Sequence, residues 1–131
     1  MRRIWNKLFG DRGERAAVKY LKKLGFRIVA QQYSTPWGEL DIVAIDGQVI
    51  VFVEVKTRKT IVAGHPFEAV TREKQMKLTR MALAYLKRYK LLDYSARFDV
   101  ISILWPDESR TPEITHICNA FEPVGKWQFF S

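Results

Sequence analysis

Apolar residues recur at helical spacing in two segments, 11–24 and 71–89. Gly25 follows the first segment as a stop signal, so the pattern predicts a helix that ends there. The apolar stripes consist of Ala17, Val18, Leu21 and Leu24 in the first segment, and Leu78, Met81, Ala82, Tyr85 and Tyr89 in the second. Basic residues occupy much of the remaining surface of the second segment, so it predicts a long basic amphipathic helix.

Alternating or continuous apolar runs predict five strands, at 26–30, 40–45, 49–55, 98–104 and 114–118. Loops are expected at 34–38, around Gly64 and Pro66, and around Pro106 and Asp107. Asp46-Gly47 is a strong hairpin signal, because glycine adopts positive φ at little cost. The order is helix, three strands, helix, two strands, without an internal repeat. We therefore expect a single α/β domain over residues 1–131.

The predicted hairpin sorts its side chains onto two faces. If Asp46-Gly47 closes a two-residue turn, Ile45 pairs with Gln48, and Asp41 lies opposite Phe52. One face is then apolar throughout: Leu40, Ile42, Ala44, Val49, Val51, Val53 and Val55. The other face begins apolar and ends charged: Val43, Ile45, Ile50 and Phe52, then Glu39, Asp41, Glu54 and Lys56. The charged group is therefore expected at the margin of a covered surface.

Asp41 and Glu54 come within side-chain reach in this arrangement. Two carboxylates about 4 Å apart repel by roughly 4 kcal/mol at an effective dielectric constant of 20, so a positive charge is needed. Lys56 supplies one charge, and carboxylate oxygens suit Mg²⁺ or Mn²⁺. The alternative is a surface salt bridge between Glu54 and Lys56, worth about 0 to 1 kcal/mol.

Glu14 is a third candidate acid. It shares a stripe with Ala17, Val18 and Leu21, so its carboxylate is predicted to point towards the sheet. The spacing of Asp11 and Glu14 is also that of a capping box at a helix start. From spacing alone, capping and metal ligation are equally supported.

The charge balance favours a polyanionic partner. Lys and Arg number 22 against 14 Asp and Glu, giving a formal net charge of +8. A basic surface that only maintains solubility would look the same in composition. The candidate phosphate-binding residues lie on the second helix: Arg72, Lys74, Lys77 and Arg80.

The sequence contains one cysteine, Cys118, which we expect to be a small buried apolar residue. No segment approaches the roughly 18 apolar residues of a membrane span, and the first residues lack a secretion signal, so we expect a cytoplasmic protein without membrane contact. His116 is expected to be structural. The pattern leaves the role of Asp99 open.

The acids and Lys56 resemble a known motif. Glu14 on a first helix, Gly38-Glu39-Leu40-Asp41 entering a strand and Val53-Glu54-Val55-Lys56 leaving the next are similar to the PD-(D/E)xK nuclease motif. Further segments resemble the YraN-type bacterial proteins, which are similar in pattern to archaeal Holliday junction resolvases. These segments are Gly64-His65-Pro66, Glu68-Ala69-Val70-Thr71, Lys74, Arg97-Phe98-Asp99-Val100 and Asn119-Ala120-Phe121.

The resemblance implies a restriction-endonuclease-like core, with a mixed β-sheet flanked by helices. It also implies a metal-dependent endonuclease acting on DNA, including branched or junction DNA in repair or recombination, and a homodimer. The residues implied as metal ligands are Glu14, Asp41, Glu54 and the Val55 carbonyl, with Lys56 as the catalytic lysine. Two departures are that Leu40 replaces the proline of the motif, and Gln31-Gln32-Tyr33 replaces an asparagine-arginine pair.

Two other function classes compete with this interpretation. One is a nucleic-acid-binding module that keeps the nuclease fold without hydrolysis. The other is a structural or partner-binding protein in which the acids form a salt-bridge network. Metal-dependent stability and cleavage would distinguish the three.

Overall fold

The computed structural model describes residues 2–60 and 70–125. The predicted order of helix, three strands, helix and two strands is confirmed. The elements are α1 (Arg2–Lys23), β1 (Arg27–Thr35), β2 (Gly38–Asp46), β3 (Val49–Arg58), α2 (Arg72–Arg88), β4 (Ala96–Leu104) and β5 (Glu113–Phe121). The loop residues Gly64 and Pro66, and the motif residues His65, Glu68 and Ala69, lie outside the described residues.

The five strands form one mixed sheet in the order β1-β2-β3-β4-β5. β3 and β4 run parallel, joined through α2, and the other neighbours are antiparallel. The helices cover opposite faces, which buries two apolar clusters. The cluster between α1 and the sheet includes Leu21, Ile42, Val51, Val53 and Ile101, and the cluster between α2 and the sheet includes Leu40, Val43, Phe52, Met81 and Phe98.

α1 starts nine residues before the predicted start, at Arg2 rather than Asp11. The capping-box alternative for Glu14 is therefore wrong, because Asp11 and Glu14 lie in the interior of the helix. The sequence did not predict that the helix extends towards Arg2, because it contains Gly10 and Gly13, and glycine is about 1 kcal/mol less favourable than alanine within a helix. Gly13 serves close packing: a Cβ at this position would lie 1.9 Å from Thr57 Oγ1 on β3.

The predicted helix stop at Gly25 is confirmed. Gly25 has φ of 95°, its N–H donates to the Lys22 carbonyl, and the Phe26 N–H donates to the Leu21 carbonyl. This pair of bonds is a Schellman motif, in which the glycine accepts the left-handed conformation. It turns the chain directly into β1.

The hairpin register differs by two residues from the predicted one. Asp46 pairs with Val49 and Ile42 with Val53, so the loop residues are Gly47 and Gln48. A shift of two residues preserves the side-chain faces, because the strand period is two. Continued by one position, the register brings Asp41 opposite Glu54 rather than Phe52.

The predicted side of Leu40 is wrong. Leu40 packs under α2, whereas Ile42 and Ala44 pack under α1, so the regular alternation breaks next to Asp41. The last β2–β3 pair is Ile42 with Val53, and beyond it Asp41 Oδ2 accepts the Val55 N–H at 2.8 Å. A side chain thus replaces a ladder bond, and this frees Asp41 to reach the α1 side.

Cys118 is exposed on the edge strand β5, so the expectation that it is buried is wrong. Its neighbours in the run are only partly buried, because β5 is the last strand of the sheet that the described residues form. Within residues 2–60 and 70–125, neither helix is long and apolar enough to cross a membrane.

Candidate active site

Three acids from three different elements converge beside the end of the β2–β3 ladder. Glu14 comes from the middle of α1, Asp41 from β2 and Glu54 from β3. Glu14 and Asp41 line an open pocket of about 360 Å³ under the N-terminal half of α1, together with Gln32, Glu39 and Thr57. Glu54 approaches Asp41 from the α2 side, where Phe52 of the same strand is packed.

Asp41 is the carboxylate that joins the other two. It is hydrogen-bonded to Glu54, and its charge raises the pKa of both Glu54 and Glu14. Its Oδ2 is held by the Val55 N–H, which fixes the side chain between β2 and β3. The break in strand alternation at Leu40 therefore has a direct consequence: one carboxylate serves both sides of the site.

Glu54 is only 7% exposed. Burial is the main cause that raises its pKa to about 8, followed by its hydrogen bond with Asp41 and the negative charge of Asp41. The charges of Lys74 and Lys56 act in the opposite direction. The surroundings therefore favour the protonated form of Glu54, and a cation beside it would favour the ionised form.

Glu14 also has a raised pKa, of about 7. Burial is the largest cause and the Asp41 charge the second, while a hydrogen bond from Gln32 lowers the value. Gln32 also donates to Asp11 Oδ1 at 3.0 Å, so it bridges two turns of α1. Gln32 has a positive φ of 47°, which is uncommon for residues other than glycine. The sequence therefore did not predict the direction of its side chain.

Two buried carboxylate oxygens have no hydrogen-bond partner among the described residues: Glu14 Oε1 and Glu54 Oε2. Unpartnered buried polar atoms are costly and uncommon in folded proteins. Both atoms belong to neighbours of Asp41, and every side-chain atom with which these three acids could ligate a metal is a hard oxygen. The residues therefore fit Mg²⁺ or Mn²⁺, which would provide the missing partner and offset the repulsion among the acids.

Two lysines act on the same carboxylate. Lys56 is half-buried two residues beyond Glu54, and its positive charge lowers the pKa of Glu54. Lys74 Nζ lies 3.6 Å from Glu54 Oε2, a contact that the sequence did not predict. Lys74 is held at the start of α2, where its backbone N–H donates to the Thr71 side chain at 3.2 Å. It thus belongs to the acid cluster by geometry.

The other residues of the predicted phosphate track, Arg72, Lys77 and Arg80, are exposed along α2. Their positions leave them accessible to a large ligand, and their role stays a prediction. The Val55 side chain lines the pocket and its N–H holds Asp41. Ligation by its carbonyl likewise stays a prediction.

Asp99 and His116 form a separate network on β4 and β5. Asp99 is fully buried and accepts hydrogen bonds from Arg97 Nε at 2.9 Å and from the Asn119 N–H at 2.9 Å. Its Oδ2 lies 2.8 Å from His116 Nε2. Burial disfavours the Asp99 carboxylate, yet these hydrogen bonds outweigh it and lower its pKa. None of these residues lines the pocket that contains Glu14 and Asp41.

A family model described as "Uncharacterised protein family UPF0102" matches residues 13–103, which include all three acids and both lysines. The chain belongs to the UPF0102 family. It is 51% identical over 119 residues to a UPF0102 protein of Geobacter sulfurreducens, covering 89% of this chain and 91% of that protein.

Other UPF0102 relatives agree over a similar extent. Identity to a protein of Rhodopirellula baltica is 44% over 128 residues, covering 95% of this chain and 77% of the relative. Identity to a protein of Geotalea daltonii is 49% over 117 residues, covering 89% and 91%. The YraN-type resemblance of the sequence is thereby confirmed. The names of these UPF0102 proteins give no reaction, so a functional conclusion depends on the site itself.

Proposed function

We propose that this UPF0102 protein is a metal-dependent endonuclease that hydrolyses phosphodiester bonds of DNA. The single observation that carries the proposal is a pair of buried oxygens that receive no hydrogen bond from the described residues, Glu14 Oε1 and Glu54 Oε2, on the two sides of Asp41. Lys74 Nζ approaches Glu54 Oε2 to 3.6 Å, an ion pair longer than a hydrogen bond. A purely structural salt-bridge network would be expected to give both acceptors a hydrogen bond, because each buried acceptor that lacks one costs about 1–3 kcal/mol.

Glu14, Asp41, Glu54 and the Val55 carbonyl would hold Mg²⁺ or Mn²⁺. Bound there, the ion would supply positive charge to a phosphoryl oxygen and make water a better nucleophile at neutral pH. The raised pKa values of Glu14 and Glu54 mean that their protons leave when the ion binds. Metal affinity should therefore increase with pH up to about 8.

Lys56 is proposed as the catalytic lysine. Its position two residues after Glu54 keeps its ammonium near the acids, where it can orient the attacking water or stabilise the charge that develops on phosphorus. Lys74, in contact with Glu54, would release this carboxylate to the metal and become free to contact the phosphate. These roles use each lysine as a positive charge and require no proton transfer from either.

The net charge of +8 and the exposed cations of α2 support a polyanionic substrate. Arg72, Lys77 and Arg80 would follow the DNA backbone beside the acid cluster. By resemblance to junction resolvases, branched DNA in repair or recombination is the proposed substrate class. A homodimer would then present two sites for two cuts.

The direct test is a cleavage assay on branched, duplex and single-stranded DNA with Mg²⁺ or Mn²⁺, comparing wild type with Lys56→Ala. Wild type should cut only with metal, and Lys56→Ala should cut about a hundredfold more slowly, the scale of losing one preorganised charge. Binding of the same DNA should change little, because one phosphate contact among many is removed.

Three outcomes distinguish the competing functions. Metal-dependent cleavage that Lys56→Ala slows by about a hundredfold supports the nuclease. Tight, salt-sensitive binding without cleavage on any substrate favours a binding module, and neither binding nor cleavage favours a structural role. Cleavage by Lys56→Ala at the wild-type rate would contradict the assignment of this lysine.

A further inference from the structure

A second cluster of potential ligands lies away from the acid site, on strands β4 and β5. The nearest ligand atoms of Asp99, His116 and Cys118 all lie within 4.8 Å of one another. His116 and Cys118 are two residues apart, so they share a face of β5, and Asp99 lies on the neighbouring strand. A register irregularity between Phe98 and Val100 marks the position of Asp99.

Two of these groups approach the same ring nitrogen. His116 Nε2 lies 2.8 Å from Asp99 Oδ2 and 3.5 Å from Cys118 Sγ. A single N–H cannot satisfy both acceptors well, whereas an ion between them would contact all three. At ordinary zinc bond lengths, sulfur and nitrogen ligands lie about 3.5 Å apart, as Cys118 and His116 do, and nitrogen and oxygen ligands about 3.3 Å apart. Asp99 Oδ2 and His116 Nε2 would need to separate by about half an ångström.

Surrounding residues hold the ligands in place. The other ring nitrogen of His116, Nδ1, lies 3.3 Å from the Tyr20 hydroxyl on α1. A proton on Nδ1 would donate to Tyr20 and leave Nε2 free to ligate, the arrangement typical of metal-bound histidine. Arg97 Nε and the Asn119 N–H donate to Asp99 Oδ1, and Arg97 Nη2 donates to Oδ2 at 3.3 Å. These bonds fix the carboxylate with Oδ2 beside His116 Nε2.

Charge also favours a divalent cation. Arg97 is shared between Asp99 and Asp46, with its Nη2 2.9 Å from Asp46 Oδ2. With Cys118 as thiolate, the residues Asp46, Arg97, Asp99 and Cys118 together carry a net charge of −2. Thiolate and imidazole ligands prefer Zn²⁺ over Mg²⁺, whereas the oxygen donors of the acid site have the opposite preference.

We infer that Asp99, His116 and Cys118 form a second metal site, which binds Zn²⁺ and ties the edge strand β5 to β4. The exposure of Cys118 leaves an entry path and a fourth position for water. Binding replaces the thiol proton of Cys118, which passes to the buffer. His116 would ligate through Nε2, with its ring proton on Nδ1 beside the Tyr20 hydroxyl.

The test uses Co²⁺ as a spectroscopic substitute for Zn²⁺, added to the full chain in excess Mg²⁺, which keeps the acid site occupied by the harder ion. Wild type should show a sulfur-to-cobalt charge-transfer band with one Co²⁺ per chain. Zn²⁺ should displace the Co²⁺ and raise the melting temperature, because an ion that binds only the folded state stabilises it.

Cys118→Ser is the main variant, because the residue is exposed and serine is nearly the same size. It should lose the band and bind Zn²⁺ at least about tenfold more weakly. Glu54→Gln is the matched control in the acid site and should retain the band. Absence of a charge-transfer band in wild type, or the same band in Cys118→Ser, would overturn the inference. Neither result depends on nuclease activity.

Discussion

Glu54→Gln should make the metal-free protein more stable at alkaline pH, although it removes a charged residue from the proposed active site. Glutamine has the shape of protonated glutamate, and its amide can donate to Asp41 as the protonated carboxyl does. The variant therefore keeps the hydrogen bond and removes only the cost of ionising a carboxyl that is 7% exposed.

The direction with pH follows from the raised pKa of Glu54. Below its ordinary value of 4.5, the folded and unfolded states are both protonated, and there is no penalty. Between 4.5 and about 8 the unfolded state loses the proton first, so rising pH favours unfolding. Above about 8 the folded state is ionised as well, and the full penalty remains.

The size of the penalty follows from the same values. A rise from 4.5 to about 8 at about 1.4 kcal/mol per pKa unit gives a ceiling of roughly 5 kcal/mol. Water entry and movement of Lys74 towards the carboxylate will relieve part of this cost. We therefore expect Glu54→Gln to exceed wild type by about 2 kcal/mol or more at pH 9, and to come close to it at pH 4, below the ordinary pKa of 4.5.

Urea unfolding in a metal chelator at both pH values measures the difference. Glu113→Gln, at an exposed position on β5, is the control and should track wild type at both pH values. Mg²⁺ or Mn²⁺ at pH 9 should then stabilise wild type and leave Glu54→Gln unchanged. A wild-type advantage at pH 9 in chelator, or a difference that does not change with pH, would refute the reasoning.

Three other predictions concern the helices and the charge. Gly13→Ala should lower the free energy of unfolding by about 1–3 kcal/mol, because the added Cβ would press against Thr57. Gly10→Ala, with no atom within 4 Å of the added Cβ, should raise the free energy of unfolding by up to about 1 kcal/mol. Urea titration checks both, and a stabilising Gly13→Ala would contradict the close packing. In calorimetry at pH 9 without DNA, Lys74→Ala should bind Mn²⁺ several-fold more tightly than wild type, because the Lys74 ammonium competes with the metal for the Glu54 carboxylate. Lys77→Ala is the control and should bind Mn²⁺ as wild type does. DNA affinity should fall with salt at a log-log slope of about −0.9 per phosphate contacted, and a slope near zero would remove the polyanion argument.

The strands and the second helix could be predicted because their patterns are local. Alternation in β2 and β3 identifies two covered faces, and an error of two residues in register leaves both faces unchanged. The start of α1 could not be predicted this way, because the reason for a glycine at position 13 is its close packing against Thr57, 44 residues later in the chain. Glycine otherwise indicates a break in a helix.

The site itself was only partly predictable. Strand parity places Glu54 and Lys56 together, but it cannot predict that Asp41 leaves the ladder and binds the Val55 N–H. The approach of Lys74 to Glu54 depends on how α2 packs after a connection of 13 residues between β3 and α2, so no local pattern contains it. The same holds for Asp99 and His116, which meet only after β5 pairs with β4.

Single-turnover cleavage of a branched DNA by wild type and Asp41→Asn, with Mn²⁺ and with chelator, tests the central claim most directly. Asp41 joins Glu14 and Glu54, so its loss should abolish the metal-dependent rate while DNA affinity, dominated by exposed cations, stays within a few-fold. Asparagine keeps the size of the side chain and an oxygen for the Val55 N–H, which protects the fold. Metal-dependent cleavage by Asp41→Asn at the wild-type rate would contradict the proposed metal centre.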